Sequence, residues 1–347
     1  MFVAPLRLRR DADALASNWR ALARLSGEAA CGAALKADGY GLGATWVARV
    51  LAAAGCRDFF VATWAEAAAL APLGLPNLSV LHGVRAEDME LALSGIATPV
   101  LNTAAQAARW RAAGGGVCHV MVETGMNRLG LGEGDLAAGA LDGLVIDTLM
   151  SHLASADEDS AQNSEQRGRF VAIAESVTAR RRSLANSAAI ALGADYAFDL
   201  TRPGLALYGG VPRRELAGVV AQVAYPEAQV LQLRSVPAGQ AVGYNAMWTA
   251  RVDSKVATLN YGYADGYFRG FSDRGAALLG DAILPLIGRV SMDLIAIDVT
   301  GHDVAEGDWL AVDFDLPRAA DRSGMSQYEL LTGLGARFER VDQAPSR

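Results

Sequence analysis

The sequence predicts an α/β protein: an N-terminal (β/α)8 barrel of the TIM type followed by a predominantly β C-terminal domain. Two patterns and one count carry this. Through the first two-thirds of the chain, short apolar runs alternate with alanine-rich helical stretches, which is the signature of βα units on a parallel sheet. Seven or eight such units over the first ~225 residues match the size of a closed barrel, with an open doubly wound sheet as runner-up. Near Tyr225 the pattern changes to strand-like runs parted by glycine or proline, and long helices give way.

Taken in order, Ala33 to Lys36 reads as a strand end and Gly43 to Ala54 as a helix. Asp58 to Ala62 is the next strand, with a helix through Ala65 to Leu70. Later strands are expected at Leu78 to His82, Thr98 to Leu101, Cys118 to Glu123 and Asp147 to Ser151. Alanine-rich helices are expected around 86–94, 103–113 and 162–182, with Arg180, Arg181 and Arg182 on a solvated helix face. The β domain should contain AQVLQLRSV, KVATLNYGYADGY, AILPLIGRVSMDLIAIDV and DWLAVDF as strands, with one short helix at MSQYELLTGL. The expected domains are residues 1–224 and 225–347, the first few residues packing with the C-terminal domain. Residues after Val341 are expected to fray.

Of the 347 residues, 52% are hydrophobic and 20% charged, ample for a large core. A formal net charge of -7 gives no electrostatic reason to bind nucleic acid or an anionic membrane, though a local site can still oppose the global sign. Three cysteines (Cys31, Cys56, Cys118) form neither a metal-ligand spacing nor a disulfide framework, so a reducing, cytoplasmic setting is expected. The opening MFVAPLRLRRDAD becomes charged too soon for a secretory leader, and no apolar stretch has the length of a membrane span.

Several segments carry candidate chemistry. Lys36, in ALKADGYGLG, follows a predicted strand and precedes a glycine-rich turn. In a barrel that is the C-terminal mouth, where active sites form, and a lysine there can make a Schiff base if its surroundings ease loss of its proton. The bland alternative is a surface lysine at a loop start. Tyr40 can donate to an anion or simply close the loop. LANSAAI, with Ser187, precedes TRPGLALYG, with Arg202, Gly204 and Leu205. A hydroxyl and successive backbone N–H groups can cradle a phosphate, or can be ordinary loop chemistry. Arg128, in ETGMNRLGL, has the donor fork that suits a carboxylate. His152, in SHLASADE, suits a supporting role. In the β domain, glycines flank Tyr263 and Asp265 in NYGYADGYFR, and Met292 and Asp293 stand either at a loop tip or where a strand begins.

Together these residues resemble the alanine racemase family, fold-type III pyridoxal-phosphate enzymes. The resemblance covers nearly the whole chain, through KADGYGLG, ETGMNRLG, SHLASADE, RPGLALYG, VGYNAMWTA, GYADGYFR, GRVSMD and SQYELLTGLGARFERV. It implies pyridoxal 5'-phosphate as cofactor, Lys36 as the Schiff-base lysine and one catalytic base, and Tyr263 of a partner subunit as the other. It implies phosphate contacts from Tyr40, Ser187, Gly204, Leu205 and Tyr328. Arg202 would meet the pyridine nitrogen, leaving it neutral because an arginine keeps its proton. His152 would link Arg202 toward the tyrosine. Arg128 would hold the substrate carboxylate with the partner's Met292, and Asp293 would lie nearby. A head-to-tail homodimer with shared sites is implied, as is interconversion of L- and D-alanine.

Three positions depart from the family pattern. Met121 stands where a lysine, carbamylated, often braces the substrate-binding arginine; Leu42 stands where histidine is frequent; and Asn245, Ala246 and Met247 are unusual before Trp248. The alternatives are a broad or serine-preferring racemase, a related barrel decarboxylase, or a non-catalytic pyridoxal-phosphate-binding protein. An acidic group at the pyridine nitrogen would mark the decarboxylase, and loss of the β domain the non-catalytic protein.

Overall fold

The computed structural model describes residues 4–342. The part of the tail expected to fray that lies beyond Asp342 falls outside the described residues. The chain divides into two units, one from Leu15 to Ala221 and the other joining the start of the chain, up to Ala14, to the residues from Gln222 onward.

The first unit is built on seven strands paired in parallel and in chain order: Ala33–Ala34, Asp58–Val61, Asn77–Val80, Thr98–Leu101, Cys118–Met121, Ile146–Met150 and Arg181–Ser183. An eighth, Leu200–Thr201, closes the ring. It pairs in parallel with Ala30–Cys31 on one side, and on the other Asp199 N–H donates to Arg182 O and Arg202 N–H to Ala185 O. Gly32, between Ala30–Cys31 and Ala33–Ala34, permits this closure, because a Cβ there would stand 2.8 Å from Phe60 and 2.9 Å from Asp58 O. Phe60, Val100, Met121, Met150 and Leu200 fill the interior. Burial on all sides is why these strands read as apolar runs without alternation.

The helices follow their start signals. Thr63 caps Trp64–Leu70 with Glu66 completing a capping box, and Asn186 caps Ser187–Ile190. One stretch differs from the sequence expectation. The helix predicted over 162–182 runs only from Ala161 to Ser176, and Arg181–Ser183 is a strand. The arginines are therefore not a solvated helix face: Arg181 is 13% exposed and pairs with Asp58 and Asp147 at 2.8 and 3.0 Å. The carboxylates of buried Asp58 and partly buried Asp147, on two other strands of the barrel, draw it inward, a long-range cause that no local pattern displays.

The second unit is antiparallel and closes on itself. Ser254–Leu259, Ile295–Asp298, Ala282–Ile287, Ala276–Leu279, Trp309–Val312 and Ala224–Val236 follow one another, and Ala224–Val236 pairs back onto Ser254–Leu259. Closure leaves this ring no free edge. Leu6–Arg10 adds antiparallel to Ala224–Val236, and Glu339–Asp342 adds in parallel to Leu6–Arg10. Two helices lie near its end, Leu316–Ser323 and Gln327–Thr332, against the one expected. The first was missed because its proline reads as a turn, whereas Pro317 sits in the opening turn, where a missing N–H costs nothing.

Candidate active site

Lys36 lies two residues beyond the strand Ala33–Ala34, at the C-terminal end of the barrel, with part of its side chain open to solvent. The next residues do something rare. Ala37, Asp38, Gly39 and Tyr40 all hold left-handed conformations, with φ of 54, 52, 62 and 54°. Each non-glycine residue so placed costs roughly 1–2 kcal/mol, so a run of this kind persists only where its surroundings over-determine it. The restraints are visible. Gly39 N–H donates to Leu35 O and Gly43 N–H to Asp38 O, the Asp38 carboxylate accepts from Ala44 N–H, and the Glu66 carboxylate accepts from Ala37 N–H. Buried Tyr40 stacks on Tyr208 at 4.6 Å, and Tyr208 Oη donates to Ala34 O.

This turn brings the Tyr40 phenol against Gly204. A Cβ on Gly204 would overlap Tyr40 Oη, so glycine is required there for space, not for conformation. Ser187 Oγ accepts from Gly204 N–H at 2.9 Å and Ala206 N–H at 3.2 Å. A serine hydroxyl, a phenol and the amides on both sides of buried Leu205 thus converge on one spot, as an oxyanion would need.

Arg202 is 7% exposed. Its guanidinium donates to Ser183 Oγ and, at 2.6 Å, to Ser151 O. No carboxylate among the described residues forms an ion pair with it. Burial pushes its pKa down to about 10, so it remains a cation at neutral pH. A buried cation met only by neutral oxygens suits an uncharged nitrogen acceptor. A decarboxylase-like acidic residue at this place is absent from the described contacts.

His152 lies two residues beyond Ile146–Met150. Its pKa is pushed down to about 3, first by burial and then by Arg202, Arg128 and Lys36. The Lys36 amine is itself lowered, by burial and then by Arg128, with Glu66 opposing. Arg128 thus bears on both Lys36 and His152, and Arg202 on His152, so cationic charge surrounds a neutral His152 inside an acidic chain.

Met121 is buried in the apolar interior, and among the described residues no side chain hydrogen-bonds the exposed Arg128 guanidinium. The loop carrying Arg128 is held through its backbone instead. The Glu123 carboxylate accepts from the N–H groups of Gly125, Met126 and Asn127. Leu42 is fully buried.

In the β unit, Tyr263 and Met292 belong to loops that pair. Tyr263 N–H donates to Ser291 O and Ala264 N–H to Met292 O, both at 3.0 Å. Arg337 pairs with fully buried Asp265 through two nitrogens and with Asp293 at 2.7 Å. The Tyr263 ring is half-buried, with the Arg269 guanidinium 5.2 Å from its centroid. Tyr328 opens the helix Gln327–Thr332 and is 45% exposed. The most exposed tyrosine of this unit is another one. Tyr244 is 67% exposed in a turn where Asn245 and Ala246 also take left-handed backbone. VGYNAMWTA marked this segment in the sequence without marking its tyrosine. Ser183, Ser151 and Arg337 left no sequence signal, because each acts through a partner on another strand or loop.

A lysine, an anion cradle and an unpaired buried arginine at the mouth of a (β/α)8 barrel, in a chain with a β unit, define a cofactor-dependent barrel enzyme. Family models described as "Alanine racemase, N-terminal domain" and "Alanine racemase, C-terminal domain" match residues 10–212 and 223–342. The alanine racemase of Acidiphilium cryptum is 43% identical over 347 residues, covering 95% of this chain and 97% of that protein, and the alanine racemase of Rhodospirillum rubrum is 41% identical over 353 residues, covering 95% of this chain and 94% of that protein. A crystal structure of alanine racemase from Bartonella henselae with covalently bound pyridoxal phosphate superposes with a TM-score of 0.91 at 32% identity, covering 99% of this chain and 100% of that one. This chain belongs to the alanine racemase family.

Proposed function

We infer that this chain is an alanine racemase, interconverting L- and D-alanine with pyridoxal phosphate held at Lys36. The observation that carries the reading is the cradle of Ser187, Tyr40 and Gly204, with Arg202 buried and met only by neutral oxygens, in the same barrel as Lys36. Its donor set fits a phosphate-bearing pyridine aldehyde: hydroxyls and amides for the phosphate, Arg202 for the ring nitrogen, and an amine for the aldehyde carbon. The buried free thiols fit a reducing, cytoplasmic setting.

When bound, pyridoxal phosphate delocalises charge from the substrate's α carbon and so makes its proton removable. Arg202 donates to the ring nitrogen without giving up its proton, which restrains that delocalisation and disfavours side reactions. Arg128 receives the substrate carboxylate through its donor fork. Lys36, its basicity already reduced by its surroundings, takes or returns the α proton on one face.

A reversible racemase needs an acid–base group on the opposite face, supplied in our reading by a tyrosine of the partner subunit in a homodimer. Sequence reasoning assigned this role to Tyr263. Tyr263 suits this role, since its loop pairs with that of Met292, whose side chain is 53% exposed and is read as entering the same partner site. Tyr244 and Met247, 67% and 45% exposed, suit a covered surface.

The test is chiral chromatography of L-alanine and L-serine reactions with cofactor-loaded protein, joined to borohydride reduction and peptide mapping. D-alanine from L-alanine, with the label on Lys36, is expected. No D-alanine, or a label on another lysine, overturns the reading, and comparable D-serine makes the enzyme a broad racemase. Tyr263→Phe should slow α-proton exchange from one enantiomer by about 100-fold or more. Near-normal racemisation by that variant in both directions would overturn the Tyr263 assignment.

A further inference from the structure

We propose that Glu66 is a positioning residue for Lys36, its carboxylate clamping the left-handed turn that follows the lysine and carries Tyr40. The inference rests on the reading of Lys36 as the cofactor lysine, but its geometry stands in this chain alone. One carboxylate serves two βα loops. Glu66 Oε1 accepts from Ala37 N–H at 2.7 Å, while Oε2 accepts from Ala62 N–H at 2.7 Å and Thr63 N–H at 3.0 Å. The second oxygen does what a capping-box glutamate ordinarily does. The first does not: it leaves its own helix and reaches the residue next to Lys36.

That bond falls where the backbone needs restraint. Ala37 opens a run of left-handed residues, is exposed, and has its N–H held by a side chain 29 residues away in the next unit of the barrel. Gly39 adds a steric lock, since a Cβ there would stand 2.9 Å from Val47. Glu66 also supplies the nearby negative charge that faces the Lys36 amine, against the positive charge of Arg128 and beside His152. The Asp38 carboxylate accepts from Ala44 N–H. Glu66 would therefore set both the place of Lys36 and Tyr40 and the protonation of the amine.

The test compares wild type, Glu66→Gln and Thr63→Ala as full-length chains, with and without pyridoxal phosphate. Glutamine keeps one acceptor oxygen and cannot serve both loops. Thr63→Ala weakens the start of the same helix, where Thr63 Oγ1 accepts from Glu66 N–H, without touching the Ala37 bond. Three readouts are made: hydrogen exchange of residues 36–44, the pH dependence of Lys36 acylation in the cofactor-free chain, and pyridoxal phosphate affinity by absorbance. For Glu66→Gln we expect exchange roughly tenfold faster. The Lys36 reactivity midpoint should fall by about half a pH unit, because a charge favouring the protonated amine is lost. Cofactor affinity should fall roughly tenfold. Thr63→Ala should match wild type in all three. Wild-type exchange and midpoint in Glu66→Gln, or the same losses in Thr63→Ala, overturn the proposal. Should Glu66→Gln not fold, the wild-type chain decides: an unprotected Ala37 amide overturns the clamp and a protected one supports it. The first two readouts need no cofactor, so their failure strikes Glu66 alone, while failure of L-alanine conversion strikes the racemase reading.

Discussion

Arg202 shows most plainly what a single residue reveals here. Burying a guanidinium among neutral oxygens is costly, since no carboxylate returns the lost solvation. Its bonds to Ser183 and Ser151 soften that cost without making Arg202 a stabilising feature. The expectation is that Arg202→Met leaves the cofactor-free chain at least as stable, with a melting temperature unchanged or raised by a few degrees. Pyridoxal phosphate affinity and alanine racemisation should each fall by about tenfold or more. A melting temperature several degrees below wild type in thermal unfolding would show that the guanidinium is a structural strut. RPGLALYG made Arg202 legible in the sequence, as KADGYGLG did Lys36. Neither string reveals that Tyr208 backs Tyr40 or that Ser183 receives Arg202, because those contacts depend on which strands become neighbours.

At the level of elements, the β unit couples loops that the sequence presents separately. GYADGYFR and GRVSMD pair through backbone bonds, and Arg337, far along the chain, bolts them by holding Asp265 and Asp293. Asp265 is fully buried, so removing its partner strands a carboxylate. Arg337→Met should cost roughly 2–3 kcal/mol of stability, the worth of bonds to a charged group. Asp265→Asn combined with it should cost clearly less than the two single losses added, since the neutral amide no longer needs the cation. Denaturant unfolding of the four members of this cycle measures the coupling, and simple additivity would remove Arg337 from that role. ARFERV belongs to a motif quoted for the family resemblance, yet nothing in it points at Asp265. The helix end at Ser176 and the inward turn of Arg181 were hidden for the same reason, the determinant being a pair of carboxylates on other strands.

For the whole molecule, alternation of apolar and alanine-rich runs was enough to read a parallel barrel, because each βα unit is local. Packing of the first residues on the β unit was expected, but its closure was not readable, since Ala224–Val236 pairs both with Trp309–Val312 and back onto Ser254–Leu259. The same long-range assembly sets the response to acid. Across the barrel, Asp58, Arg181 and Asp147 form a buried ion network, and His119 sits beside it with Nδ1 3.5 Å from Asp147 and Nε2 3.1 Å from Ser79 Oγ. Burial pushes His119 down to about 4, against an ordinary value near 6.5, and Asp147 only partly opposes this. Between those values the unfolded chain binds a proton that the folded chain refuses, so stability is complete above pH ~6.5 and falls as the pH drops. His152, lowered to about 3, acts in the same direction. Asp147, lowered to about 2, extends the loss below the ordinary carboxylate range. Denaturant unfolding between pH 7.5 and 4.5 should show this decline, and His119→Asn should flatten it by roughly 2–3 kcal/mol at the acid end. Parallel curves for the two proteins would mean that His119 accepts its proton within the fold, with Asp147 as its counter-ion, and that the neutral histidine inferred from its burial is wrong.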